Sequence, residues 1–350
     1  MSRLKGVCMA SRRTGGRAGG TGRQEAVGSA SKCDGGKSTA RIVRSAAPFH
    51  LCEAFTREGG AGVAGAVPSD LIHGAYFGAI LCTSPPAAHV TRQQLKDLAA
   101  LTRSRARREH GRFLVEGLRS VEAAVQASAP LEAVLVTAEA ADDPRLGRLV
   151  AQTDAEVHTI AARDLERIGD ARTSQGVLAV ARSVVRDDLD SLEAPLLLLD
   201  GVQDPGNVGA LVRTAAWFGI RTVVGDTATA DFESPKAVRA SMGGIWDVAL
   251  ARVPSLVPVL GRLAEAGVTA WGADLGGTSV GEWGPGASAA LVMGSEAHGL
   301  SPEVSDWLRR QPPVGSRFVF IPGVEGGQPR GVESLNVAVA GAVLMSRWLG

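Results

Sequence analysis

Three short segments of this sequence place polar side chains where a glycine-containing turn meets an apolar run, an arrangement that brings binding or reactive groups to the edge of a core. The first is Asp200-Gly201-Val202-Gln203-Asp204-Pro205-Gly206-Asn207-Val208-Gly209. It leaves the apolar run 196–199 and turns toward a helix that Asn207 is suited to cap. A cap and a turn explain it as well as a functional loop does. Arg213 tips the balance, because it lies between Ala210-Leu211-Val212 and Ala215-Ala216-Trp217-Phe218. An unpaired guanidinium on so apolar a helix must reach solvent, a carboxylate or a phosphate. The second segment, Gly294-Ser295-Glu296-Ala297-His298-Gly299-Leu300, follows Leu291-Val292-Met293 and carries one carboxylate. Glu296 is a natural partner for Arg213, with a purely structural ion pair as the plain alternative. His298, a lone histidine among small residues, is given no role. The third runs from Ile321-Pro322-Gly323 through a glycine-rich stretch, 324–331, to Glu333-Ser334-Leu335-Asn336 and an almost wholly apolar helix. Ser334 and Asn336 are good capping types, but this cluster supplies more polar groups than capping needs. Three such loops at strand ends would form one crevice at the edge of a parallel sheet, the default ligand site.

The elements that must position these loops follow an α/β rhythm from about residue 90. A first domain, 83–182, begins with a basic helical segment at 92–112. Strands are predicted at 113–115, 131–137, 157–160 and 176–181, with helices at 118–127 and near 145–152. The polar stretch 183–195 reads as a solvated linker. A second domain, 196–350, opens with four leucines ending at Asp200, a run short and apolar enough for a strand buried on both faces, hence a parallel sheet. Further strands are predicted at 222–224, 248–252, 268–273, 289–293 and 317–321, and a final helix at about 335–348.

Composition bounds the rest. Hydrophobic residues are 45% and charged residues 21% of 350, with a net charge of +1, as in an ordinary globular protein. Residues 1–82 read as a basic tail rich in glycine and serine, dispensable for folding, because their opening stretch is too polar and flexible to bury a core. Cys8, Cys33, Cys52 and Cys82 all fall in this region, so the predicted domains contain no disulfide and no cysteine-based zinc site. The stretch 71–82 is too short to span a bilayer and too far from the start for a secretion signal. A cytoplasmic protein with no membrane partner is expected.

The segments 200–219, 294–300 and 321–322 with 333–340 resemble, in order, the three signature motifs of the SpoU (TrmH-like) RNA ribose methyltransferases. Ser234-Pro235-Lys236-Ala237-Val238-Arg239-Ala240-Ser241-Met242-Gly243 resembles the segment those enzymes carry between motifs one and two. The resemblance covers about residues 90–350. It implies a knotted parallel-sheet catalytic domain of the SPOUT type, with a trefoil knot, preceded by a small α/β substrate-binding domain. It further implies a homodimer that takes S-adenosylmethionine and methylates a ribose 2′-hydroxyl in ribosomal or transfer RNA. By the same resemblance Asn207, Arg213, Glu296, Ser334 and Asn336 match active-site positions, while Gly294, Ile321 and Leu335 match positions whose backbone lines the cofactor. The extra residues at 324–331 depart from the family, whose connection here is short.

That assignment suits the chemistry. Methyl transfer from a sulfonium depends on holding carbon and attacking oxygen in line, and needs no metal. A guanidinium with a pKa above about 12 is a poor free base, so Arg213 fits phosphate binding and orientation of the hydroxyl better than proton abstraction. Arg103, Arg105, Arg107, Arg108 and Arg112 could contact an RNA backbone, or could simply form a solvated helix face. A nicotinamide-dependent dehydrogenase would share the strand and glycine-loop rhythm, but the first loop lacks G-x-G-x-x-G spacing. A protein that binds RNA on this fold without catalysis is opposed by the joint presence of the five polar positions.

Overall fold

The computed structural model describes residues 90–170, 175–187, 193–312, 317–323 and 334–350, all within one compact unit, Ala66–Gly350. The basic stretch 1–82, the glycine-rich insertion 324–331 and Glu333 lie outside the described residues.

The chain begins with α1 (Arg92–Ala100) and α2 (Ser104–His110). These two helices replace the single helical segment expected at 92–112. A full capping box on Thr91 starts the first, and Gly111, at φ 60°, stops the second in a left-handed conformation. There follow β1 (Arg112–Glu116), α3 (Leu118–Gln126), β2 (Leu131–Val136), α4 (Ala138–Ala141), α5 (Pro144–Val150), β3 (Glu156–Thr159), α6 (Ala162–Ile168) and β4 (Val177–Arg182). The strands form a four-stranded sheet in the order β1-β4-β2-β3, antiparallel except for β2 with β3. Alternation decides its two faces: Phe113 and Val115 turn to one cluster, Leu114 to another built with Leu165 and Ile168 of α6.

The second sheet comprises β5 (Val185–Arg186), β6 (Leu196–Asp200), β7 (Thr222–Asp226), β8 (Ala249–Val253), β9 (Thr269–Ser279), β10 (Ala289–Gly294) and β11 (Phe318–Phe320). Its helices are α7 (Pro205–Trp217), α8 (Pro235–Ser241), α9 (Val257–Glu265), α10 (Pro302–Arg310) and α11 (Val337–Leu349). The seven strands lie in the order β11-β9-β10-β6-β7-β8-β5, and every pairing is parallel. Leu196 to Leu199 are 0% exposed, as a strand covered on both faces requires. Leu197 and Leu199 pack with Leu211 of α7 and Leu344 of α11. Leu196 and Leu198 turn the other way, onto Leu260 of α9 and Leu308 of α10.

The stretch expected to be a solvated linker is in part sheet. Val185–Arg186 pairs with Leu250 and Ala251 of β8. The buried carboxylate of Glu233 accepts from the Ser183 hydroxyl and the N–H groups of Val184 and Val185, at 2.8, 2.8 and 3.3 Å. A carboxylate removed from water needs such donors, and this chain segment supplies them.

Candidate functional site

From β6 the chain moves outward through β7 and β8, then returns to the other side of β6 for β10, β9 and β11. Such a reversal opens a crevice beyond the carboxyl ends of the two strands that flank it. Asp200, the last residue of β6, is in register with Gly294, the last of β10. The first two polar loops therefore leave the sheet side by side.

Asp204, not Asn207, caps α7. Pro205 takes the first helical position, and the Asp204 Oδ1 accepts from the N–H groups of Gly206 and Asn207 at 2.6 and 3.1 Å. The Asn207 side chain, inside the first turn, is thereby free to reach across. Its Nδ2 donates to Glu296 Oε1 at 2.9 Å, and its Oδ1 accepts from Asn336 Nδ2 at 3.0 Å. Asn336 does cap α11: its Oδ1 accepts from the N–H groups of Ala338 and Val339 at 2.9 and 3.3 Å. The direction of this chain is set at both ends, because helix N–H groups can only donate and an ionised carboxylate can only accept. Glu296 also receives the N–H groups of Gln203 at 3.1 Å and Asp204 at 3.3 Å. Burial pushes its pKa up, but the bonds from Asn207 and the backbone outweigh that, and the carboxyl is held below its ordinary 4.5.

Behind this chain stand groups to which the sequence alone assigned no role. Asp226 Oδ1 accepts from the Gly201 and Thr229 N–H groups and the Thr229 hydroxyl, at 3.0, 2.8 and 2.7 Å, fixing the turn after β6. Asp200 is buried and accepts from the Ser301 N–H at 2.6 Å; burial nevertheless raises its pKa. Lys236 Nζ lies 2.6 Å from Asp204 Oδ2 and holds that carboxyl below its usual range. The signal for Lys236 is its place in the 234–243 segment, which carried a resemblance but no assigned chemistry.

Other expected residues take different places. Arg213 is exposed and has no hydrogen bond or ion pair among the described residues, so its expected pairing with Glu296 is not formed. The carboxylate is instead occupied by amides. Ser334 is exposed beside Asn336. Gly294 closes tightly on Gly299, whose carbonyl oxygen would lie 2.4 Å from an added Cβ. Ile321 is half-buried, and Leu335 is 47% exposed.

The basic segment divides. Arg103, Arg105 and Arg108 are exposed, with Arg108 donating to the Ser104 hydroxyl, and Arg112 pairs with Glu132 at 2.7 Å. Arg107 departs from its expected place on an RNA-facing surface. It is 3% exposed, pairs with Asp231 at 2.6 Å and donates to the carbonyls of Leu101 and Thr102 at 2.9 Å each. Five donors in a rigid fork make arginine suited to so many acceptors in one place.

The sequence pattern of the SpoU rRNA Methylase family matches residues 194–346, and that of the MRM3-like substrate binding domain matches residues 92–179. The 23S rRNA (guanosine-2′-O-)-methyltransferase RlmB of Bordetella pertussis is 36% identical over 200 residues, covering 54% of this chain and 76% of its own length. The chain belongs to the SpoU methylase family. A solved structure of a putative RNA methyltransferase of the TrmH family from Porphyromonas gingivalis, 36% identical, superposes with a TM-score of 0.63 over 75% of this chain and 98% of its own. The SpoU methyltransferase AviRb of Streptomyces viridochromogenes, solved with AdoMet, is 25% identical, with a TM-score of 0.64 over 73% of this chain and 97% of its own. Of the five positions that the SpoU resemblance assigns to the active site, hydrogen bonds join Asn207, Glu296 and Asn336, one from each motif.

Proposed function

We propose that this protein transfers a methyl group from S-adenosylmethionine to the 2′-hydroxyl of a ribose in ribosomal RNA. The observation that carries this reading is the chain Asn336–Asn207–Glu296 at the sheet's reversal point, in a member of the SpoU family. The site suits the cofactor. The exposed Leu335 and half-buried Ile321 offer apolar surface for an adenine ring, and the close turn of the second loop leaves no room for a side chain at Gly294. Gly294, Ile321 and Leu335 would hold it, and the sulfonium supplies the methyl group.

The chain's own residues then do three things. Glu296, kept ionised and engaged by Asn207, Gln203 and Asp204, clamps the first loop to the second; its low proton affinity makes it a poor base near neutral pH. Asn336 ties the third loop to the first, and through Asn207 to the second. Arg213, exposed and without a partner among the described residues, is available to bind a phosphate and orient the hydroxyl, and the exposed Ser334 is assigned to contact the ribose. We assign residues 83–182 to RNA binding, with Arg103, Arg105, Arg108 and Arg112 on the RNA side, residues 183–195 to the connection, and residues 196–350 to methyl transfer in a trefoil-knotted arrangement. A homodimer would cover the apolar residues that α11 leaves exposed. No helix among the described residues is long and apolar enough to cross a membrane, and a ribosomal substrate fits a cytoplasmic location.

Mapping 2′-O-methyl sites in ribosomal and transfer RNA with and without the protein tests the reading. Loss of one ribosomal site in its absence, restored by the purified protein with S-adenosylmethionine, is expected. Loss confined to transfer RNA would move the substrate, and RNA binding with no transfer would replace catalysis by a binding role.

A further inference from the structure

A second concave site lies between the end of α8 and the four-stranded sheet. At the start of that helix Lys236 is bonded to Asp204; one turn later, ~5 Å along the axis, Arg239 faces the four-stranded sheet and pairs with Glu116 and Asp170. Beside this pair is a cavity of about 290 Å³, at the lower end of the roughly 300–1,000 Å³ of small-molecule pockets and so sized for one ring system.

Three features separate it from a packing gap. Glu116 and Arg239 already satisfy each other, yet Arg119 and Glu166, which also line the cavity, are exposed with no partner among the described residues. The Gln175 Oε1 is taken by the Leu118 N–H at 2.9 Å, and its amide N–H groups have no acceptor among the described residues. Met242 is 45% exposed on the cavity wall and holds φ 49°, a left-handed conformation that glycine or asparagine adopts at a helix end with far less strain. An exposed thioether on a strained backbone at a pocket rim offers a polarizable surface for a flat ring.

We propose that this cavity receives an unstacked guanine base of the RNA substrate, near in sequence to the methylated nucleotide. The proposal rests on the function proposed above. Two carboxylates and two guanidinium groups line the cavity, so it has no net charge from them, and a phosphate would meet Glu116 and Glu166. A neutral base with donors and acceptors on different edges suits it better. Guanine offers N1–H and N2–H to a carboxylate such as Glu166, and O6 and N7 to a guanidinium such as Arg119. Adenine has no such pair of adjacent donors. Protein recognition of RNA commonly targets splayed bases of this kind, read on their edges. Because α8 carries both Lys236 at the catalytic crevice and Arg239 at the cavity, one RNA segment can engage both.

The full-length protein, labelled with 13C at the methionine methyl groups, tests this directly, with Met242→Leu assigning the Met242 signal. Guanosine, adenosine, cytidine, uridine and inorganic phosphate are titrated separately. A shift of the Met242 methyl with guanosine alone, lost in Arg119→Ala and Glu166→Gln, is expected. An equal response to all nucleosides, a response to phosphate, or no response to guanosine overturns the proposal. In methylation assays the same two variants should raise KM for ribosomal RNA tenfold or more, with kcat and the Kd for S-adenosylmethionine unchanged. Unchanged KM also overturns it. If wild-type protein methylates no RNA, the proposed function fails, while the nucleoside titration still reports on the cavity.

Discussion

Glu296 shows how one side chain can be read in two opposed ways. Beside Arg213 it would be half of an ion pair; bonded to an amide and two backbone N–H groups, it is the clamp of a loop. The difference reaches titration. Its folded pKa is lower than the ordinary 4.5, so its contribution to stability is present above that value and is lost as pH falls through the folded value. Thermal unfolding measured between about pH 6 and pH 3 should therefore show wild-type stability falling on the acid side, and Glu296→Gln should flatten part of that slope. Asp204 acts in the same direction. Asp200 and Glu233, raised by burial, act oppositely, their contributions being lost as pH rises through their folded values. An unchanged acid slope in Glu296→Gln would show that the clamp contributes no linkage. Arg213 gives a sharper contrast. No partner among the described residues is stranded when it is removed, so Arg213→Ala should leave the melting temperature and cofactor binding nearly unchanged while methyl transfer drops by orders of magnitude. Parallel turnover, calorimetric binding and unfolding measurements decide it; full turnover in the variant would remove Arg213 from the reaction.

Helix contacts explain a glycine that propensity alone would discourage. Gly209 lies inside α7, where alanine would favour the helix by up to about 1 kcal/mol. A Cβ there would stand 2.3 Å from the Ala237 carbonyl oxygen and 2.7 Å from the Ala240 Cβ of α8. Gly209→Ala should therefore destabilise, since overpacking costs about 1–3 kcal/mol, and chemical denaturation should show a lower midpoint. A higher midpoint would mean that α8 yields easily. The same scale explains what was legible in the sequence. The four leucines of β6 announce a strand covered on both faces, and the order of apolar runs yields the parallel sheet. Asn336 also reads correctly as a cap. Asn207 does not, because Asp204 and Pro205 compete for the helix start, and local preference cannot rank them against a bond to a residue 89 positions away. β5 is two residues long and exists through Glu233 and β8; so short an element carries no periodicity. The Arg107 bond to Asp231 spans 124 positions, and nothing in a run of arginines distinguishes the one that turns inward.

Across the whole molecule, that inward arginine and its neighbours do different work. Arg107 and Asp231 bind α2 to the segment before α8, and Phe113 of the small sheet stacks on Trp246 with ring centroids 5.7 Å apart. One buried cluster accordingly contains residues of both sheets. Arg107→Ala should destabilise the protein by about 3 kcal/mol, toward the lower end for a broken buried pair because Asp231 is 17% exposed, with no change in the salt dependence of RNA binding by the folded fraction. Arg105→Ala should do the reverse, leaving stability intact and reducing the slope of log affinity against log salt by about 1. Filter binding across salt concentrations, paired with unfolding, separates them; equal effects from both would sink the division. On α11, Val339 and Val343 are 50% and 39% exposed one turn apart. Sedimentation at micromolar concentration should find a dimer that Val339→Glu weakens, and a monomeric wild type with full activity would count against it.

The amide chain from α11 to Glu296 has a kinetic corollary. Because Asn336, Asn207 and Glu296 hold one another across three loops, release of any one removes a restraint from the other two. Amide hydrogen exchange at Gln203, Asn207 and Ala338 should therefore report a single shared opening event, with one protection factor that cofactor raises in all three together.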